Sequence, residues 1–166
     1  MKQSIIFLIT AIILCSNAKA QNMKKEFKSE AKQAIERTSR YPKETITEKD
    51  LEHLPDIVQK YLKYVGVPGT EKVHNFRVTF TGKIRSNPDD NWMKFKSVQY
   101  NFYDEPTRIF YIKARKMGIP AKGIHLYKNQ KAKMVIKMLG LIPIVDARGP
   151  EMDTSETVTI FNDMCI

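Results

Sequence analysis

Apolar residues change their spacing twice along this 166-residue chain. A nearly unbroken apolar block from Ile5 to Leu14 gives way to helical spacing after a short polar stretch, and from Val73 the period becomes two. In the helical part, Met23, Phe27, Ala31, Ala34 and Ile35 recur within a segment rich in Lys, Glu, Ala and Gln. That pattern predicts an amphipathic, weakly apolar helix, read as a tether over residues 21–45 and broken at Ser39-Arg40-Tyr41-Pro42. Leu51, Leu54, Ile57, Val58, Tyr61, Leu62 and Val65 form a stronger stripe, which predicts a packed helix over 51–65. Thr47 with Asp50 supplies a capping pair, and Gly66 with Pro68-Gly69 supplies the stop.

Beyond Val73, Phe76, Val78, Phe80 and Ile84 alternate with Arg77, Thr79, Thr81, Lys83 and Arg85, the signature of a strand with one buried and one wet face. Asn87-Pro88-Asp89-Asp90 is a turn. In the next strand, Trp92 to Tyr103, the apolar phase slips from Met93 and Phe95 to Val98, Tyr100 and Phe102, which predicts a bulge near Lys96-Ser97. Strands follow over Arg108 to Met117, Gly123 to Lys128 and Lys131 to Met138, in meander order, with a break over Gly118 to Lys122. Pro143 puts the apolar run from Gly140 to Val145 at the end or edge of the sheet. Asp153-Thr154-Ser155-Glu156 opens a last helix with Val158, Phe161 and Cys165 on a stripe that Ile160 and Met164 broaden.

The expected fold class is α+β: a curved antiparallel sheet of five or more strands, in outline a half-barrel, with helices packed on one face and a single domain over 46–166. The chain stops at apolar Ile166 with no capping glycine and no polar tail, so the domain is expected to be incomplete at this end.

Lys2, the apolar block and Ala18-Lys19-Ala20 together have the form of a secretory signal peptide over residues 1–20, cleaved after Ala20. The block is too short for a membrane span, and Leu14 before Cys15 argues against lipidation. The expected localisation is therefore periplasmic or secreted. Cleavage removes Lys2 and Lys19 and no acid, lowering the net charge from +10 to +8, and leaves Cys165 without an internal disulfide partner. A basic exported domain without a nucleic-acid motif points away from DNA and RNA and toward an anionic membrane surface, polyanionic glycans or an acidic partner. Arg77, Lys83, Arg85, Lys113, Arg115, Lys131, Lys133 and Lys137 fall on the polar alternation and are expected to share a sheet face, which as a plain solvated face would also block edge pairing.

His53, His74 and His125 lie far apart in sequence, and neither a zinc-type spacing nor a nucleophile elbow is present, so no metal, cofactor or catalytic residue is assigned. Asp146, Arg148 and Glu151 form the densest polar group, readable as a structural ion pair at a turn or as the polar anchor of a pocket. Phe76, Phe80, Tyr100, Phe102, Phe110, Met134 and Met138 are an aromatic and Met-rich set that suits either a core or the concave lining of a ligand site with the 51–65 helix as its lid. Trp92, Tyr100, Phe110, Met134, Asp146, Arg148 and Glu151 are the candidate ligand-binding residues.

Three motifs occur in order: Leu54-Pro55-Asp56-Ile57-Val58-Gln59-Lys60-Tyr61-Leu62, Trp92-Met93-Lys94-Phe95 with Gln99-Tyr100, and Asp146-Ala147-Arg148-Gly149-Pro150-Glu151. On these the chain, from about residue 50 onward, resembles an uncharacterised bacterial family that shares a domain of unknown function. The resemblance implies further strands after the final helix and no particular activity. The expected function is an exported, non-enzymatic protein that binds a hydrophobic or amphipathic, lipid-like ligand. Its alternatives are a hydrolase or other enzyme of the cell envelope using Asp146, Arg148 and Glu151, and a protein-interaction module using the basic sheet face.

Overall fold

The computed structural model describes residues 23–85, 87–116 and 118–163. Residues 1–20, read as the export signal, lie outside these, as do Met164 and Cys165 of the last expected stripe. The described chain is α+β. Helix α1 covers residues 23–38, a 3-10 turn spans Glu48–Leu51 and α2 spans Asp56–Tyr64. Six strands follow: β1 (Asn75–Ile84), β2 (Met93–Phe102), β3 (Thr107–Lys116), β4 (Ile119–Lys128), β5 (Lys131–Met138) and β6 (Ile142–Arg148). Helix α3 (Pro150–Asp163) follows the last strand. The strands form one open antiparallel sheet in the order β1-β2-β3-β4-β5-β6, the meander that the alternation predicts. Pro143 sits on the edge strand β6, where its missing N–H costs no ladder bond to a further strand.

Two expectations about the strands are corrected. β2 pairs with β1 and β3 without a register shift, so Lys96-Ser97 is not a bulge. The phase slip arises because both faces of β2 are used: Val98, Tyr100 and Phe102 face one side, while Met93 and Phe95 and then the polar Ser97, Gln99 and Asn101 face the other. The bulge of this sheet is between β5 and β6, at Ile136/Lys137. The expected break before the fourth strand is also shorter, since β4 begins at Ile119 and pairs with β3 from Lys116.

The segment read as a tether forms one wall of the core. Met23, Phe27, Ala31 and Ala34 are all buried, against Phe102, Ile109, Tyr111 and Ile124 of the sheet. The Phe27 ring centroid lies 5.4 Å from that of Tyr111 and 5.9 Å from that of Tyr100, and the two alanines let the helix backbone approach closely. Ionic contacts hold α1 along its length. Arg37 donates to Asp104 at 2.6 Å, Glu30 pairs with Lys128, and Glu26 pairs with Lys133.

α3 rests on β4, β5 and β6. Neighbouring strand residues point to opposite faces, and Ile109 lies under α1 while Arg108 bonds to α3, so the two helices cover different faces of the sheet. Ile160 packs with Tyr127 and Ala132, Tyr127 Oη and Thr157 Oγ1 are 2.8 Å apart, and Asp153 accepts from the Ala132 amide at 2.7 Å. The expected stripe of Val158 and Phe161 is not the buried one; these side chains are 57% and 70% exposed, and Glu156 and Ile160 turn inward instead. The reason is local: the sheet beneath α3 is polar, and Glu156 is the side chain that complements it.

The helix expected over 51–65 is divided. Pro55 has no N–H to continue a preceding turn and disfavours a helical Leu54, so the chain makes a 3-10 turn, with its capping box between Thr47 and Asp50, and starts α2 only at Asp56. Gly66, at φ +79°, ends it. No residue of α2 is buried, and α2 shares no extensive contact with any strand. It is not a lid over the sheet.

Candidate functional site

Arg108 is the centre of the most heavily connected polar group among the described residues. Its Nη1 donates to Glu156 Oε2 at 3.1 Å and lies 3.4 Å from His125 Nδ1, its Nη2 donates to Gln99 Oε1 at 3.0 Å, and its Nε donates to Asp163 Oδ2 at 3.2 Å. Asp163 Oδ2 also accepts from Gln99 and Asn101, at 2.8 and 3.0 Å. The planar guanidinium fork suits several acceptors at once, which a lysine does not offer. The positions follow from the ladder: Asn101 is directly opposite Arg108 on β2–β3, and Gln99, Phe110, His125 and Met134 form a row across four strands.

The group is withdrawn from water: Asn101 is fully buried, and Gln99, Glu156 and His125 are 4%, 5% and 8% exposed. Burial, helped by the Arg108 charge, pushes the His125 imidazole from its usual 6.5 down to about 4, so the ring is neutral. Burial raises the Glu156 carboxyl against the pull of Arg108. His125 Nε2 lies 3.3 Å from Glu156 Oε2 but without the alignment of a hydrogen bond, and together with Ser97 Oγ it is a buried polar atom without a bonded partner among the described residues.

Beyond this group, toward the end of the sheet that carries the β1–β2, β3–β4 and β5–β6 turns, the same face becomes apolar. Phe95, Ala114, Ala121 and Met138 form one row, and Ile112, Gly123 and Ile136 the next. A Cβ on Gly123 would lie 2.9 Å from Ile136 Cγ1 and 3.1 Å from Ile112 Cγ2, so the glycine lets these two side chains close over the strand. α3 bonds and packs at the opposite, polar end of this face. Phe80, on the neighbouring β1, is 46% exposed.

Of the candidate ligand-binding residues, Phe110 and Met134 meet here, on either side of His125. Phe76, Phe80 and Met138 from the expected lining share the face. Tyr100 and Phe102 do not: they lie on the other side, under α1. Trp92 precedes β2, 56% exposed, with the Arg85 guanidinium 4.5 Å from its ring centroid. Asp146 and Arg148 form the expected ion pair with each other at 2.9 Å, both side chains more than half exposed, and Glu151 is exposed in the first turn of α3. These three residues do not line the apolar face. The Arg108 group has no sequence motif, but Ser97, Gln99 and Asn101 in the buried alternation of β2 were a signal for it.

The opposite face is divided too. Its half near α1 is apolar and buried, with Lys128 and Lys133 neutralised by α1. Its other half carries two rows of cations. Lys96, Lys113, Lys122 and Lys137 stand opposite one another across β2 to β5, and Lys83, Lys94 and Arg115 across β1 to β3. None of these seven has an ion-pair or hydrogen-bond partner among the described residues. Lys83, Lys113, Arg115 and Lys137 of the expected basic set are in these rows, whereas Lys131 is paired with Asp153 and Arg85 lies past the end of β1.

A separate cleft of about 1230 Å³ opens between the 3-10 turn and α2, lined by Ile46, Leu51, Leu54, Leu62 and Val67 among others. Among the described residues, no group of three or more His, Cys, Asp or Glu is placed to hold a metal ion, and no helix is long and apolar enough to cross a membrane.

A family model described as a family of unknown function (DUF6544) matches residues 44–166, and the chain belongs to that family. Among curated proteins and solved structures, nothing matches. Helix α1 precedes the matched region, although it supplies one side of the core.

Proposed function

We propose that this protein is an exported binding domain that holds a hydrophobic or amphipathic, lipid-like molecule on the sheet face it shares with α3. The observation that carries the reading is the division of that face: among the described residues, no helix covers the rows built on Phe95, Ile112, Ile136 and Met138, which end against a buried polar group. A contiguous apolar surface bordered by a few polar groups is the usual form of a site for such ligands. Met134 and Met138 adapt to chains of irregular shape, and Ser97 and His125, whose Oγ and Nε2 are buried without bonded partners among the described residues, mark the line where the two regions meet.

The test is a titration with a fatty-acid fluorophore whose emission rises in apolar surroundings. Phe95→Gln weakens binding at least about tenfold, as expected for removing a large apolar contact, whereas Val158→Gln on the outer side of α3 leaves it unchanged. Loss of binding in Leu62→Gln but not in Phe95→Gln would move the ligand to the cleft beside α2 and contradict the assignment.

A further inference from the structure

The end of the sheet that carries the β1–β2, β3–β4 and β5–β6 turns joins exposed apolar tips to a basic patch. In a meander these three connections lie together, and each brings an exposed apolar side chain: Ile84 and Trp92 flank the first, Ile119 follows the second, and Leu139 and Ile142 flank the third, all 41–56% exposed. Leu139 also breaks a local rule. It sits at φ +53° in a tight turn with Gly140 at φ +74°, a left-handed conformation that favours Asn or Gly. The equivalent turn at the other end of β5 places Asn129 at φ +53°. An exposed leucine gains nothing within the fold at such a position.

Directly behind these tips stand the two cation rows. Adjacent strands are about 4.8 Å apart and successive residues on one face about 7 Å apart, so the rows form a compact patch in which like charges oppose each other, an arrangement that costs stability. The acids at this end are Asp89 and Asp90 in the β1–β2 turn and the paired Asp146. Lysines here are hydrated point charges on flexible stems, suited to many phosphates in no fixed geometry.

We infer that this end of the sheet docks on an anionic lipid surface, the apolar tips entering the interface and the lysine rows meeting the headgroup phosphates. Apolar tips ahead of a basic belt match the two attractions such a surface offers, burial of apolar area and electrostatic attraction within a Debye length. Trp92, stacked under Arg85, has the amphipathic ring that favours the headgroup level. This inference does not rest on the ligand-binding reading. The two are compatible, since the apolar sheet face opens at the same end.

Trp92 is the only tryptophan and therefore a local probe. The full chain is mixed with phosphatidylcholine vesicles, or with vesicles containing about a third phosphatidylglycerol, each carrying brominated acyl chains. The full chain includes the apolar run from Ile5 to Leu14, a composition with affinity for either bilayer, so the readout is Trp92 quenching rather than partition. Quenching is expected with anionic vesicles, falling at least about tenfold between about 50 mM and about 500 mM NaCl as the charges are screened. It is lost in a Lys96→Gln, Lys113→Gln, Lys122→Gln variant that keeps its circular dichroism, and weakened in Leu139→Asn, which relaxes the turn while removing the apolar tip. Equal quenching on both vesicle types, quenching that survives the triple substitution, or binding of soluble polyphosphate without vesicle quenching would each overturn the inference.

Discussion

Arg108 on β3 and Glu156 on α3, 48 residues apart in the chain, meet at 3.1 Å with side chains only 13% and 7% exposed. The contact ties the last helix to the sheet and draws Gln99, His125 and Asp163 into one network. Because the group is buried, its worth shows on deletion: Arg108→Met leaves two carboxylates without their cation and is expected to cost about 3–5 kcal/mol. Arg108→Lys, which cannot reproduce the fork, recovers only part of this. Urea denaturation followed by far-ultraviolet dichroism measures both, and a cost below about 1 kcal/mol for the methionine variant would show that the network is incidental.

The His125 imidazole takes up its proton near pH 4 in the fold and near 6.5 when unfolded. Its contribution is therefore complete above about pH 6.5 and is lost as the pH falls from there toward 4, at about 1.4 kcal/mol for each tenfold difference in proton affinity between the two states. Glu156 works in the opposite sense, because its raised affinity for a proton makes acidification favour the fold. The sign is isolated by comparison. The stability of His125→Gln relative to the unmodified protein rises as the pH is lowered through this window, and a constant difference would mean that the ring titrates normally.

Lys113 faces Lys96 on one side and Lys122 on the other. Lys113→Glu converts two repulsive pairs into attractive ones and is expected to stabilise the protein by about 0.5–1 kcal/mol at low salt. Thermal unfolding in rising NaCl should show this gain shrinking as the charges are screened. A destabilised variant would argue against the cross-strand arrangement.

Phe27 anchors α1 on Tyr100 and Tyr111. Phe27→Ala is expected to cost about 3–5 kcal/mol, the usual range for a large aromatic deleted from a core. A helix that merely tethered the domain would tolerate the change within about 0.5 kcal/mol in the same denaturation experiment.

Strand order and the edge position of Pro143 were legible in the sequence because period-two alternation and turn residues are local signals. Helix α1 was underestimated for a physical reason: Ala31 and Ala34 carry little hydrophobic weight, yet their small size brings α1 close to the sheet. The error at α2 ran the other way, since a strong stripe states an amphipathic preference and not what will cover it; Tyr64 is 90% exposed. On β2, Ser97, Gln99 and Asn101 looked like a phase slip because alternation assumes one wet face, and here Asp163 of α3 bonds to Gln99 and Asn101. The Arg108 group depends on pairing across strands and with α3, which no local spacing in one sequence encodes. The joining of Phe110 and Met134 and the separation of Tyr100 were likewise settled by register.

The ligand reading is tested most directly by native mass spectrometry of the protein recovered from the cells that produce it, followed by organic extraction. The expected result is a protein carrying an extractable amphipathic molecule that is absent from the Phe95→Gln variant. Protein that arrives empty and also fails to take up the fatty-acid probe would contradict the account.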